Sequence, residues 1–281
     1  METTGVAALY ENISMPLFSI GMAFLILLVS LPGAAVLGYL TGARRRRVLL
    51  DSGRPVDKVT GETTLGAALA LLGLLLAFSY GNALNLSQTR KALLTSEAAA
   101  IGTAFLRADY LAEPGRTNLQ VALLEYARTR LLPGDDSINT LEEAQSFLST
   151  TLELQAKLWP LTLEATADPL PPPMKAFVAG AVNEALDAHL YRVETLSVPV
   201  SELAQAMLLA AALLALFLLG NRAGTIGRRL SWRTFAFSGF LLLVMASILD
   251  IQRSSEGLIR TDPTAMLVTI YDMEQALAGR S

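Results

Sequence analysis

The sequence predicts an all-α, polytopic membrane protein with four transmembrane helices and a helical extramembrane domain between spans two and three. Three observations carry this. Residues of the AVILMFWYC class make up 52% of the 281-residue chain and charged residues only 17%, against about 25% charge in an ordinary soluble domain. The apolar residues gather in four runs. The long segment between the second and third runs shows helical periodicity and no strand alternation of useful length.

Each run follows from the absence of charge. Residues 12–43 contain no Asp, Glu, Lys or Arg, and neither do residues 63–89. Residues 203–221 and 234–249 are the third and fourth runs. A spanning helix needs roughly 20 mostly apolar residues at about 1.5 Å each. The fourth run is short at 16 residues, but Trp232 precedes it, a ring suited to a membrane interface. Glu2 and Glu11 precede the first run with no base beside them, so it does not read as a cleaved signal peptide.

Charge then orients the chain. Arg44, Arg45, Arg46, Arg47, Arg54 and Lys58 lie between spans one and two. Arg222, Arg228, Arg229 and Arg233 lie between spans three and four, with no acid among them. The positive-inside rule makes both loops cytoplasmic and places both termini and residues 87–200 outside a plasma (inner) membrane. The outside segment carries nine bases and fourteen acids, a net of −5. The organisation predicted is residues 1–62 as tail, first span and Arg-rich loop, and 63–112 as the second span continued into a long extramembrane helix. Residues 113–199 form the extracytoplasmic helical domain, 200–250 spans three and four, and 251–281 an extracytoplasmic tail.

Prolines and glycines cut the outside segment at Glu113-Pro114-Gly115, Pro133-Gly134, Asp168-Pro169 and Pro199. Helices are predicted near 63–112, 116–132, 139–166, 173–198 and 200–221, with Pro160 kinking or breaking the third. In the fourth, Phe177, Val178, Ala181, Val182, Ala185, Leu186 and Val193 share one face. The first is the longest, about 50 residues or about 75 Å. A stripe at heptad spacing runs along it: Leu71, Leu75, Phe78, Asn82, Asn85, Thr89, Ala92, Ser96, Ala99 and Thr103. One reading is a helix packed around an axis, with its amides facing water. The other is that polar residues begin where the helix leaves lipid; Ser79, Tyr80, Ser87 and Gln88, off the stripe, favour it. Gly38 and Gly42 form a GxxxG pair at a span end, weak support for packing there.

Composition excludes much chemistry. With no cysteine there is no disulfide, thiolate metal site or cysteine nucleophile. One histidine, His189, excludes most multi-histidine metal sites and reads as a surface or capping residue on a helix. Asp135-Asp136 and Glu142-Glu143 read as loop and helix-start charges. No Walker A, GxGxxG, HExxH or GxSxG pattern occurs, so neither an enzyme nor a cofactor is expected. The pI near 5.3 disfavours nucleic acid. Asp250, Arg253, Glu256 and Arg260 form a membrane-proximal charged collar, within reach of Glu97 and Arg107 on the long helix. A local salt-bridge network seating the tail is the plainer reading of these charges.

Two motifs carry a resemblance. Glu97, Ala98, Ile101, Gly102, Thr103, Leu106 and Arg107 match an E-A-x-x-I-G-T-x-x-L-R pattern. Leu249, Asp250, Arg253, Gly257, Leu258, Ile259 and Arg260 match L-D-x-x-R-P-x-x-G-L-I-R, with Ser254 where proline is usual and Gln252 where an acid is common. In this order and setting they resemble the bacterial bestrophin-like membrane proteins, over about residues 15–270. The resemblance implies a homo-oligomeric anion channel in which span two lines the pore, with Phe78, Asn82, Asn85 and Thr89 facing it. Bestrophins hold the corresponding domain in the cytosol, opposite to the charge-based orientation here, which is the one retained. The alternative is a non-conducting interaction or sensory membrane protein whose acidic helical domain binds a partner. A membrane enzyme is the weakest reading, since the spans lack polar groups. The partners expected are the lipid bilayer, further copies of the chain and anions.

Overall fold

The computed structural model describes residues 19–56, 61–131, 141–197, 202–252 and 261–279. Its elements are α1 (Ile20–Asp51), α2 (Glu62–Arg107), α3 (Gly115–Thr129), α4 (Leu141–Ala165), α5 (Pro172–Ser197), α6 (Glu202–Thr225), α7 (Trp232–Gln252) and α8 (Thr264–Ala278). A short 3-10 turn, Ala108–Tyr110, ends α2. Four helices, α1, α2, α6 and α7, are long and apolar enough to cross a membrane. Among the described residues there is no strand. The chain divides into two compact units, one holding Ser87–Pro199 and Arg260–Ser281, the other Pro16–Leu86 and Val200–Ile259.

In the second unit α1 packs chiefly on α6, with α7 beside both. The contact is made by glycine. A Cβ at Gly38 would press on the Phe217 carbonyl, one at Gly42 on that of Asn221, one at Gly220 on that of Ala35 and one at Gly224 on that of Tyr39, each well inside 3.0 Å. Two GxxxG motifs therefore face each other, and the backbones touch where side chains would hold them apart. The asparagine on this seam is satisfied: Asn221 Nδ2 donates to Thr41 Oγ1 at 3.0 Å. The Gly38–Gly42 pair, weak support in the sequence, lies on the helix contact, against the C-terminal end of α6. Its partner Gly220-x-x-x-Gly224 is equally visible in the sequence. Large apolar side chains turn outward, among them Leu25, Val29, Leu37, Leu74, Phe78, Leu203, Phe240 and Leu243. Glycines at the α1–α6 contact and large apolar side chains on the outside suit a helix group whose solvent is hydrocarbon.

The first unit is built on a buried apolar core. Its core joins Ile101, Ala104 and Phe105 of α2, Leu119, Leu123 and Tyr126 of α3, Leu158 of α4, Val178, Ala181, Val182 and Ala185 of α5, and Met266, Ile270 and Met273 of α8. The apolar stripe read for α5 is thus its buried face, apart from Phe177, which is exposed and carries the Arg107 guanidinium 4.1 Å over its ring.

The structure corrects the sequence reading in three places. Pro160 does not break its helix: α4 runs from Leu141 to Ala165 through it. Residues 251–281 are more than a tail, because α8 contributes three buried side chains to the core. At Gly102 the two helices come close: a Cβ there would meet Thr269 Cγ2 of α8 at 3.3 Å. The fourth apolar run, read as 16 residues, belongs to a 21-residue helix, about 32 Å long.

Candidate functional site

Two features stand out, and both are built on α2. The helix is continuous for 46 residues, about 69 Å. Its charge-free run ends at Thr89, and residues 90–107 continue it with Arg90, Lys91, Glu97 and Arg107.

The first feature is an uncovered seam. Leu71, Phe78, Asn82, Asn85, Thr89, Ala92, Ser96 and Ala99 are exposed, with Leu75 and Thr103 half-buried. Up to Leu86 exposure says little, because most of the helix surface is bare there. Beyond Thr89 it is selective. Arg90, Leu94, Glu97, Ala98, Ile101, Ala104 and Phe105 are buried on the opposite face, while the stripe stays open. Gln88, Lys91, Ala92, Thr95, Ser96 and Ala99 line a shallow groove of about 580 Å³ on this side. Leu106 and Tyr110, 63% and 61% exposed, continue the same spacing past Thr103. The sequence reading stopped short of them, although the three-and-four alternation extends to both. The candidate pore residues Phe78, Asn82, Asn85 and Thr89 are each exposed, as are many off-stripe residues of the same stretch.

The second feature is a buried ion cluster. Glu97 comes from α2, Arg130 caps the end of α3, and His189 and Arg192 lie on α5. Arg130 Nε donates to Glu97 Oε1 at 2.7 Å, and Arg192 Nη1 donates to Glu97 Oε2 at 2.6 Å. Arg130 Nη1 also donates to Thr151 Oγ1 of α4 at 3.3 Å, and Arg192 Nη1 to the Arg130 carbonyl at 3.3 Å. His189 Nδ1 stands 3.7 Å from Glu97 Oε1, too far for a hydrogen bond. The Glu97 and Arg130 side chains are wholly enclosed. Next to them, Gln155 Nε2 donates to the hydroxyl of buried Tyr126 at 3.0 Å.

Electrostatics follow from this geometry. Burial alone would raise the Glu97 carboxyl. The facing imidazole and the Arg130 and Arg192 guanidiniums outweigh it and hold the group at about 2. Burial pushes the Tyr126 phenol up to about 12, with the Glu97 charge adding to the shift, so it stays neutral. Burial lowers the His189 imidazole, with the two guanidiniums opposing a third positive charge, so it sits neutral at pH 7.

Both acid-side shifts have the same sign for stability. The unfolded chain takes up protons on His189 below its ordinary 6.5 and on Glu97 below 4.5, before the folded chain does. Folded stability is therefore full above pH 6.5 and falls as pH drops, first through the histidine and then through Glu97 down to about 2. In a Trp232→Phe variant, Trp159 of α4 reports the first unit alone. Its fluorescence midpoint in denaturant is expected to decline between about pH 7 and pH 5, and His189→Gln is expected to flatten that decline. An unchanged slope would remove the histidine from this account.

The sequence-predicted residues fall out as follows. Glu97 is paired with Arg130 and Arg192, neither of them a collar residue. Arg107 Nη1 donates to the Phe177 carbonyl at 3.0 Å. Asp250 is half-buried near the end of α7. Arg253, Glu256 and Arg260 lie outside the described residues, as do Asp135 and Asp136. His189 is not a surface or capping residue: it is 3% exposed. Sequence reasoning missed Arg130 and Arg192, since partners 33 and 95 residues from Glu97 leave no local pattern. Among the described residues, no group of His, Cys, Asp and Glu is placed to hold a metal ion.

Compared with known proteins, the chain matches no family model, and no curated protein and no solved structure is similar to it.

Proposed function

We propose that the chain is a bestrophin-like multi-pass membrane protein that assembles as a homo-oligomer around α2, whose inner half lines an anion path. The observation that supports this is the exposure of the stripe from Thr89 to Ala99, beside Lys91 and Thr95, while the opposite face of the helix is buried in its own fold. Small side chains at heptad spacing on parallel copies would let helices approach closely. In the apolar half, Asn82, Asn85 and Thr89 would offer amide and hydroxyl dipoles to a partly dehydrated ion, and Phe78 a dewetting constriction. The arginine-rich loops place the first unit outside the cytoplasm in this reading.

The absence of cysteine makes the test clean. Ala92→Cys and Ser96→Cys variants in native membranes are expected to form disulfide-linked dimers on mild oxidation, whereas Cys placed at Glu125 stays monomeric. Purified protein in planar bilayers is expected to carry anion current that Phe78→Ala changes. Monomeric protein in lipid together with silent bilayers at high protein load would overturn the proposal.

One observation favours the non-conducting alternative. Asn118, Val121, Ala122, Glu125, Leu154, Lys157 and Leu161 line an open groove of about 320 Å³ between α3 and α4. With monomeric protein, that groove becomes the place to look for a partner.

A further inference from the structure

We propose that the buried cluster of the first unit is a binding site for one small monovalent anion of halide size, held by Arg130 and His189. The proposal is independent of conduction, since it concerns the closed interior of one subunit.

Three observations carry it. The first is charge. The groups that face each other are one carboxylate, two guanidiniums, a neutral phenol and an imidazole, so the described residues leave one positive charge in surplus, shared between enclosed Arg130 and Arg192, whose side chain is 15% exposed. An uncompensated charge in a protein interior is costly, and proteins answer it by pairing. The second is unused hydrogen-bonding capacity. Both Glu97 oxygens accept from a guanidinium, and Arg130 Nε and Nη1 are engaged, but among the described residues Arg130 Nη2 and both His189 nitrogens are buried with no hydrogen-bond partner. An N–H donor of a guanidinium and one of an imidazole, close to the same carboxylate, are the groups an anion would use. The third is enclosure. The Arg130 side chain is fully buried and that of His189 is 4% exposed. Phe147 covers the Arg130 guanidinium, 5.5 Å from its ring centre. Enclosure of this kind bars an organic anion.

A buried water is the neutral competitor for the same donors. It would satisfy a hydrogen bond and leave the charge. The experiment separates the two. Full-length protein in detergent is melted in sodium chloride and in sodium gluconate at matched ionic strength, with Trp159 fluorescence as the readout in the Trp232→Phe background. The midpoint is expected to rise with chloride or bromide and stay flat with gluconate, which is too large to enter. Arg130→Gln is expected to weaken the apparent halide affinity by about tenfold or more, the size of a lost charge-assisted hydrogen bond. His189→Gln, which spares the Glu97–guanidinium pairs, is expected to weaken it in the same direction and serves if the arginine variant fails to fold. Crystals grown in sodium bromide are expected to show an anomalous peak beside Arg130 Nη2. Equal midpoints in chloride and gluconate at every concentration, or water density with no anomalous signal, would overturn the assignment.

Discussion

Gly220→Leu is expected to separate α1 from α6 and to abolish the folded second unit. The obstacle a side chain would meet at Gly220 is the backbone of Ala35 and Tyr39, not the tip of a movable side chain. Overpacking in a core ordinarily costs about 1–3 kcal/mol. Here relief requires two helices to move apart along the whole seam, so the loss should lie at or above the top of that range. The measurement is again a disulfide in a chain without cysteine. Thr41→Cys with Asn221→Cys replaces a 3.0 Å hydrogen bond across the seam and is expected to crosslink within one chain. Adding Gly220→Leu should eliminate that crosslink, and Gly220→Ala should weaken it. A full crosslink with leucine in place would show that close backbone contact is not what joins these helices.

Glu97→Gln is expected to destabilise the first unit by about 3–5 kcal/mol, because it leaves the Arg130 and Arg192 guanidiniums buried without their counter-charge. The low pKa of Glu97, about 2 against an ordinary 4.5, points to a contribution of similar size, about 3 kcal/mol at neutral pH. Denaturant unfolding of the Trp232→Phe protein, followed at Trp159, gives the number. The triple replacement Glu97→Leu, Arg130→Met and Arg192→Met removes the charges together and is expected to recover most of the loss, since apolar packing can replace a buried ion group. A single variant within about 0.5 kcal/mol of the parent, the range of ordinary surface changes, would mean that the carboxylate is not essential to the fold.

How much of this was legible beforehand depends on the range of the signal. The α1, α2, α6 and α7 helices announce themselves as uncharged runs, because removing charge from some twenty consecutive residues is a local requirement of hydrocarbon. The α2 stripe was equally plain, since helical spacing is a local property, and Leu106 and Tyr110 extend it by the same rule. The face of α5 could be read from Val178 to Val193 for the same reason. The break considered at Pro160 does not occur because proline weakens a helix only locally, while packing of Leu154, Leu158 and Leu161 on the core favours continuing it. The α8 helix was missed because its 15 residues are too few and too mixed to stand out without the core they fill.

Composition, periodicity and charge runs by themselves determined the helical class, the four apolar helices and the stripe along α2, since each is written in neighbouring residues. Only the tertiary structure decided that Gly38 and Gly42 meet Gly220 and Gly224, and that Glu97 is shared by Arg130 and Arg192 beside an unpartnered His189. Those pairings join residues 33 to about 180 positions apart, and attraction between groups so distant in the chain exists only after folding has brought them together.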